Sequence, residues 1–251
     1  IAGYRRDAMV RIVTEEVVNA LSQEELASEL TGVSVLLDGA AVKALGARNL
    51  SHLIGGVTAQ PVPAADEYYT EDPLNKNLAV DRHGSYCAPA FKFPVPPETK
   101  ARILGESREP EKSPATVLIP REDGTFIGLL GAGGFEWIVI SSTRVQFIYN
   151  LLDEMAKHRL PALPVKPVQC NVIPRVDDAG ALRCVTITNA TIGNQPPFEM
   201  ILRNVPENTA AAEWVTAENA PVKCELHRAD GETRVMIPAI DAWDIGFLKL
   251  R

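Results

Sequence analysis

One stretch constrains the chain more than any other: residues 31–56, TGVSVLLDGAAVKALGARNLSHLIGG. Val33 to Leu37 form a short, apolar, β-branched run preceded by Gly32. A strand apolar on both faces belongs inside a sheet covered by helices. Asp38-Gly39 breaks the run. Ala40 to Leu45 then supply helix formers at apolar spacing, and Leu50, Leu53 and Ile54 continue the stripe until Gly55-Gly56 closes it. The stretch therefore reads as one βα unit. Upstream, residues 9–13 read as a strand. Thr14 reads as an N-cap, with Glu15 and Glu16 in the first turn, where carboxylates suit the helix dipole. Ser22 followed by Glu25 is a capping box that opens a helix through Leu30. Strand, helix, helix, strand, helix is the grammar of a parallel α/β sheet.

The next segment, 57–97, is broken by Pro61, Pro63, Pro73, Pro89, Pro94, Pro96 and Pro97 and has no period. A stretch of that kind inside a domain predicts a functional loop or a packed extension. It has room for a short strand within 88–95, and residues 97–104 read as a Pro-capped helix. Residues 116–119 and 126–130 are apolar runs joined by Pro120-Arg-Glu-Asp-Gly124, a hairpin signal. Another apolar run covers 137–140. Ser141-Ser142-Thr143 then starts a helix to about Lys157, with Val145, Ile148, Leu151, Leu152 and Met155 on one face. Beyond Leu160-Pro161 the grammar changes. Short strand-like runs at 168–173, 182–189, 199–202, 212–214, 222–227, 233–237 and 245–250 alternate with turn residues, which predicts a small antiparallel β-sandwich. The expected fold class is thus α/β followed by all-β. A partial Rossmann-like three-layer domain is expected over 1–164, and the sandwich over 165–251.

Composition removes several function classes. A net charge of −7 over 251 residues is the wrong sign for a nucleic-acid footprint or an anionic-membrane patch. No apolar run approaches the ~20 residues of a bilayer-spanning helix. A cytoplasmic, periplasmic or secreted setting all remain compatible with the sequence. Cys87, Cys170, Cys184 and Cys224 contain no C-x-x-C pair, and His52, His83, His158 and His227 are dispersed, so no metal or cofactor site is expected. Cys170, Cys184 and Cys224 fall in strand-like runs and read as small buried hydrophobes, with a disulfide between two of them open in an exported protein. Asn49-Leu-Ser51 and Asn189-Ala-Thr191 match the glycosylation sequon, a frequent chance pattern.

Little here carries chemistry. Gly131-Ala-Gly-Gly134 lacks a following G-K-[ST] and reads as a structural turn. Asp38 ends the presumed central strand, where open α/β sheets bind ligands, but Asp is also a preferred helix cap. Asp66, Glu67, Asp72 and Asp81 form an acidic loop group, though a glycosidase pair needs two carboxyls held at fixed separation. Cys87, with His83 four residues before it, is flanked by Tyr86 and Ala88 and followed by Pro89, which suits a nucleophile elbow poorly. The candidate ligand-binding residues are Asp38, Glu67 and His83; none qualifies as catalytic, cofactor-binding or metal-ligating.

Several patches together resemble the C-terminal region of large bacterial glycoside hydrolases of the β-galactosidase-like, family 42-related type. They are Leu21-Ser-Gln-Glu-Glu-Leu26, Gly32-Val-Ser-Val-Leu-Leu-Asp-Gly39, Ala47-Arg-Asn-Leu50 and Leu53-Ile-Gly55. To these are added the helix over 144–157 before Leu160-Pro161, and Val235-Met-Ile-Pro-Ala-Ile-Asp-Ala-Trp243 with the apolar end at 245–250. Asn49 stands where that family usually has Gly. The resemblance implies a class I glutamine amidotransferase-like α/β domain, incomplete at its N-terminus, plus a β-sandwich. It also implies a (β/α)8 catalytic barrel upstream in the same polypeptide, a possible homo-oligomer, and no catalytic residue in this chain. Three readings follow. The first is a non-catalytic accessory or assembly region of a carbohydrate-active enzyme. The second is a carbohydrate-binding module acting through the sandwich, whose candidate aromatics Trp214 and Trp243 both read rather as core. The third is an independent hydrolase using Cys87 and His83.

Overall fold

The computed structural model describes residues 8–63, 66–78, 90–108, 111–132, 142–229 and 231–251. The chain divides into two compact units, Ile1–His158 and Arg159–Arg251.

The first unit begins with β1 (Val10–Val13), α1 (Glu15–Ala20), α2 (Gln23–Leu30), β2 (Ser34–Asp38) and α3 (Gly39–Ala47). Local chemistry sets these boundaries. Ser22 Oγ accepts from the Glu25 N–H at 3.2 Å while Glu25 Oε2 accepts from the Ser22 N–H at 2.8 Å, so the capping box is complete. Asp38 Oδ1 accepts from the Ala41 N–H at 2.7 Å and starts α3. Asn49, in the left-handed region at φ 59°, ends that helix before a 3-10 turn at Ser51–Ile54. There follow β3 (Gln60–Val62), β4 (Glu67–Tyr69), β5 (Ala90–Lys92), β6 (Arg102–Ser107), β7 (Ser113–Pro120), β8 (Phe126–Leu130) and α4 (Ser142–Met155).

Six of these strands form one sheet in the order β1-β2-β8-β7-β6-β4, and β3 pairs with β5 in a separate ribbon. Only β1, β2 and β8 run parallel; β8, β7, β6 and β4 are joined antiparallel. This overturns the Rossmann-like, glutamine amidotransferase-like three-layer domain expected from the sequence. Among the described residues the chain is mostly strand, in four sheets with few helices. The physical cause is the 121–125 turn. There Asp123 Oδ1 accepts from the Thr125 N–H at 2.8 Å and Gly124 adopts φ 76°. A turn this tight can only return the chain antiparallel, so β7 cannot join a parallel sheet. The predicted helix at 97–104 is likewise replaced, in its second half, by β6, which lies against β7.

Residues on the two faces of the sheet enter separate cores. Val35, Leu37, Val117, Ile119, Ile127 and Leu129 pack with Val18, Leu26, Leu30, Val42 and Leu45 from α1, α2 and α3. Leu36, Leu104, Leu118 and Leu130 pack with Phe147, Leu151 and Met155 from α4.

The second unit contains β9 (Ala162–Pro164), β10 (Asn171–Val176), β11 (Leu182–Thr188), β12 (Phe198–Leu202), β13 (Ala212–Thr216), β14 (Val222–Cys224), β15 (Leu226–Ala229), β16 (Glu232–Ile237) and β17 (Ile245–Leu250). They make two antiparallel sheets, β10-β11-β17-β13-β14 and β15-β16-β12-β9, enclosing one apolar core. The run read as a single strand at 222–227 is two strands. It breaks at Glu225, with β14 in one sheet and β15 in the other, the usual way a chain turns the corner between packed sheets. Cys170, Cys184 and Cys224 are free thiols, and burial raises all three thiol pKa values. Only Cys224 meets the expectation of a buried cysteine; Cys170 and Cys184 are half-buried.

Trp214 fills the middle of this core at 3% exposure, its ring lying across Gly246 of β17. A Cβ at position 246 would sit 1.9 Å from Trp214 Cζ2, and no rotamer of a ring packed on all sides can yield that much. Gly246→Ala is therefore expected to cost about 1–3 kcal/mol of stability, as overpacking of a filled core does. Urea denaturation of the two proteins checks it.

Candidate functional site

The most concentrated group of charged side chains in the interior lies on the α4 side of the first unit's sheet. Glu67 on β4 is 8% exposed and Arg144 on α4 is 1% exposed. Arg144 Nη1 donates to Glu67 Oε2 at 2.8 Å, and the Thr116 hydroxyl of β7 donates to Glu67 Oε1. Reaching Thr116 takes the Glu67 side chain over Gly105 of the intervening β6, where a Cβ would lie 2.0 Å from Glu67 Oε1. The glycine is what lets a carboxylate cross the strand. Arg144 also lies over the Phe147 ring at 5.2 Å, and Phe147 meets Tyr69 at 4.8 Å between ring centroids. Burial raises the Tyr69 hydroxyl well above its ordinary value, so it stays neutral at any physiological pH.

Beside this pair is a cavity of about 20 Å³, lined by Asp66, Phe91, Ser107, Gly131 and Ala132 among others. A water needs roughly 10–15 Å³, whereas ligand pockets run to several hundred. The cavity has room for one water and none for a sugar ring. Glu67 is one half of a buried ion pair on the wall of this cavity. Gly131 packs against the carbonyl oxygens of Ala115 and Phe91, each of which a Cβ would approach to 2.6 Å, and its own carbonyl accepts from the Phe91 N–H. Carbonyls crowd Gly131, an environment that repels anions; Gly133 and Gly134 lie outside the described residues.

Asp38 is buried at the C-terminal end of β2, where the next residue's N–H, that of Gly39, donates to the Ala132 carbonyl. Asp38 caps α3, and burial raises its carboxyl above the ordinary 3.8, aided by the Glu16 and Glu15 charges and opposed by the Ala41 N–H. The remaining acidic residues separate. Asp72 is clamped by Arg102, through Nε at 3.0 Å and Nη2 at 2.6 Å, while Arg102 Nη1 holds Glu154 at 2.5 Å. Burial works to raise the Asp72 carboxyl, but the hydrogen bonds from Arg102 and from the Leu74 N–H outweigh it, and the pKa is lowered. His158 Nδ1 is 2.9 Å from Asp153 Oδ2. These groups border a surface groove of about 310 Å³, and every carboxylate in it already has a cationic or imidazole partner. A wider surface depression of about 610 Å³ is lined by Lys43, Ser51, His52 and Thr58 and contains no carboxylate. Among the described residues no group of His, Cys, Asp and Glu could hold a metal ion, and no helix is long and apolar enough to cross a membrane. His83, Cys87 and Asp81 lie outside the described residues.

Sequence reasoning missed Arg144, Thr116 and Gly105. Of the predicted face of α4, Val145, Ile148, Leu151, Leu152 and Met155, the structure fully buries Leu151 and Met155 and packs Ile148 and Leu152 partly against the core, while Arg144, Phe147 and Asp153 are buried as well. The signal was present as an i, i+3, i+7, i+11 stripe that begins with an arginine. An arginine leading an apolar stripe calls for a buried carboxylate elsewhere.

No family model matches the chain, and no curated protein matches it. Among solved structures, alpha-L-fucosidase isoenzyme 2 from Paenibacillus thiaminolyticus aligns with 97% of this chain at a TM-score of 0.57 and 14% identity. The chain spans 41% of that enzyme's length. At this identity the likeness shows the fold alone: the chain shares its fold with part of that enzyme.

Two tests bear on the assignments above. Removing one partner of a buried pair strands the other charge, so Arg144→Met is expected to cost about 3–5 kcal/mol, and the double change with Glu67→Gln to recover much of it. Chemical denaturation of the three variants and wild type measures the coupling. At Asp38, loss of the cap in Asp38→Ala is expected to cost about 1 kcal/mol, while Asn, also a good cap, costs less. The raised carboxyl means wild type loses stability as pH rises from the unfolded value through the higher folded one, a slope that Asp38→Asn removes. Stability measured from pH 3 to 7, a window set by that upward shift, checks both.

Proposed function

We propose that this chain is a non-catalytic accessory region of a carbohydrate-active enzyme. The observation that carries the reading is the extent of the structural likeness. Nearly the whole chain aligns with an alpha-L-fucosidase, yet covers 41% of it. Two further observations support it. Every interior carboxylate of the first unit described above is tied to a cap, an arginine or a histidine. The cavity beside the most buried pair is too small for a sugar. A glycosidase needs two carboxyls facing a cleft that admits the glycosidic oxygen; the two on the surface groove, Asp153 and Glu154, are engaged by His158 and Arg102. The patches resembling β-galactosidase-like, family 42-related hydrolases favour the finer form of the reading. In it the catalytic groups belong to an upstream (β/α)8 barrel, and this region serves the assembly, including a homo-oligomer, or flanks the substrate cleft.

The decisive experiment is to extend the reading frame upstream of Ile1 and compare two proteins on aryl α-L-fucosides and β-D-galactosides. The 251-residue chain is expected to hydrolyse neither, and the extended polypeptide to encode a barrel and hydrolyse at least one. An upstream frame with no barrel, or turnover by the 251-residue chain itself, overturns the reading.

A further inference from the structure

Trp243 departs from every expectation for a tryptophan in a small β domain. It is 70% exposed, and its backbone lies in the left-handed region at φ 62°. The Asp244 N–H donates to the Asp241 carbonyl at 3.2 Å, so residues 241–244 form a β-turn with Trp243 third. A positive φ at that position is what glycine or asparagine supplies, and a bulky side chain there is strained. Strain of this kind persists only where the surroundings impose it, and it concentrates at binding sites.

The surroundings do impose it. Asn189 is fully buried, and its Nδ2 donates to the carbonyls of Gly193, Ile240 and Asp241 at 2.8, 3.1 and 3.0 Å. The Asn189 N–H donates to the Asp244 carbonyl, and the Ala242 N–H to Asn194 Oδ1 at 3.1 Å. Gln195 and Ile240 exchange both backbone hydrogen bonds. One buried amide therefore locks the 189–197 and 240–245 loops into a single rigid rim. Trp243 stands out from it with Ile192, which is 90% exposed. Asn189 is thereby fixed as a structural clamp, its sequon notwithstanding.

The chemistry of the rim narrows the ligand. Residues 189–197 and 238–247 contain Asp241, Asp244, Asn189, Asn194 and Gln195 and no Lys, Arg or His. An indole face with acceptors on its own turn and no cation in either loop disfavours anionic ligands. It suits a neutral molecule with an apolar C–H face and hydroxyl donors along its edge, as a pyranose ring has. The geometry points to a surface subsite for a neutral glycan, formed by Trp243 with Asp241 and Asn194, at this end of the sandwich. The inference rests on the proposed carbohydrate-active reading and adds a ligand-holding place that the reading does not require.

Trp243→Gly tests it cleanly, because glycine is the residue the turn prefers and the variant is expected to fold at least as stably as wild type. The 251-residue chain is titrated at millimolar concentrations with lactose and with a neutral trisaccharide ending in L-fucose, following the indole N–H resonances and tryptophan fluorescence. Expected is a shift of the Trp243 signal in wild type, with affinity weakened about tenfold or more in Trp243→Gly, a change of ~1.4 kcal/mol. A raised or unchanged melting temperature in the same variant separates this from a packing role. The subsite is overturned if neither sugar moves the Trp243 signal, or if the variant binds as well as wild type. It is also overturned if sedimentation shows that the change dissociates a dimer, since the indole then joins two copies. None of these outcomes touches the accessory-region reading, which the upstream frame and the hydrolysis assay decide separately.

Discussion

Strand β2 has no exposed residue: all five positions from Ser34 to Asp38 are buried. A strand that cannot show either face to water must have a neighbour on each edge and cover on each side. In the first unit those demands are met by different means. The edges are closed by β1 and β8, both parallel to it. Val35 and Leu37 go under α1, α2 and α3, and Leu36 goes under α4. Even its polar ends are used internally. Ser34 Oγ donates to the Met155 carbonyl at 2.7 Å and accepts from the Phe126 N–H, and Asp38 caps α3. The rest of the sheet can be antiparallel because the need for parallel neighbours ends at β8.

How much of this could be read beforehand depends on the range of the interaction responsible. Signals decided within a few residues were legible: the Ser22–Glu25 capping box, the Asp38 cap, the Asp-Gly hairpin and most of the short strands of the second unit. What failed was decided by residues far apart. The hairpin signal at 120–124 was read correctly and yet not weighed against the parallel sheet, with which it is incompatible. Segment 102–107 is a strand because β7 and β4 lie on either side of it, and nothing local says so. The Glu67–Arg144 pair joins residues 77 positions apart through a gap that only Gly105 leaves open. A solvated acidic loop and a buried ion pair look the same in a sequence until the arginine is located.

The two tryptophans described in the second unit make the same point within one unit. Both were read as core, since large rings dominate small cores. Trp214 is core because Gly246 on the adjacent strand vacates the volume its ring needs. Trp243 is outside because its turn, fixed by a buried asparagine on another loop, aims it away. In neither case does the tryptophan's own neighbourhood in sequence decide its burial.

The break at Glu225 has a consequence for how the second unit responds to being pulled apart or warmed. Since β14 and β15 run on from one another with one residue between them, yet belong to opposite sheets, each sheet holds one end of the same taut segment. Because β14 and β15 are edge strands, the two sheets are stitched together along that edge. The two layers are thereby coupled at that edge through covalent backbone as well as through side chains, which raises the cost of parting them there.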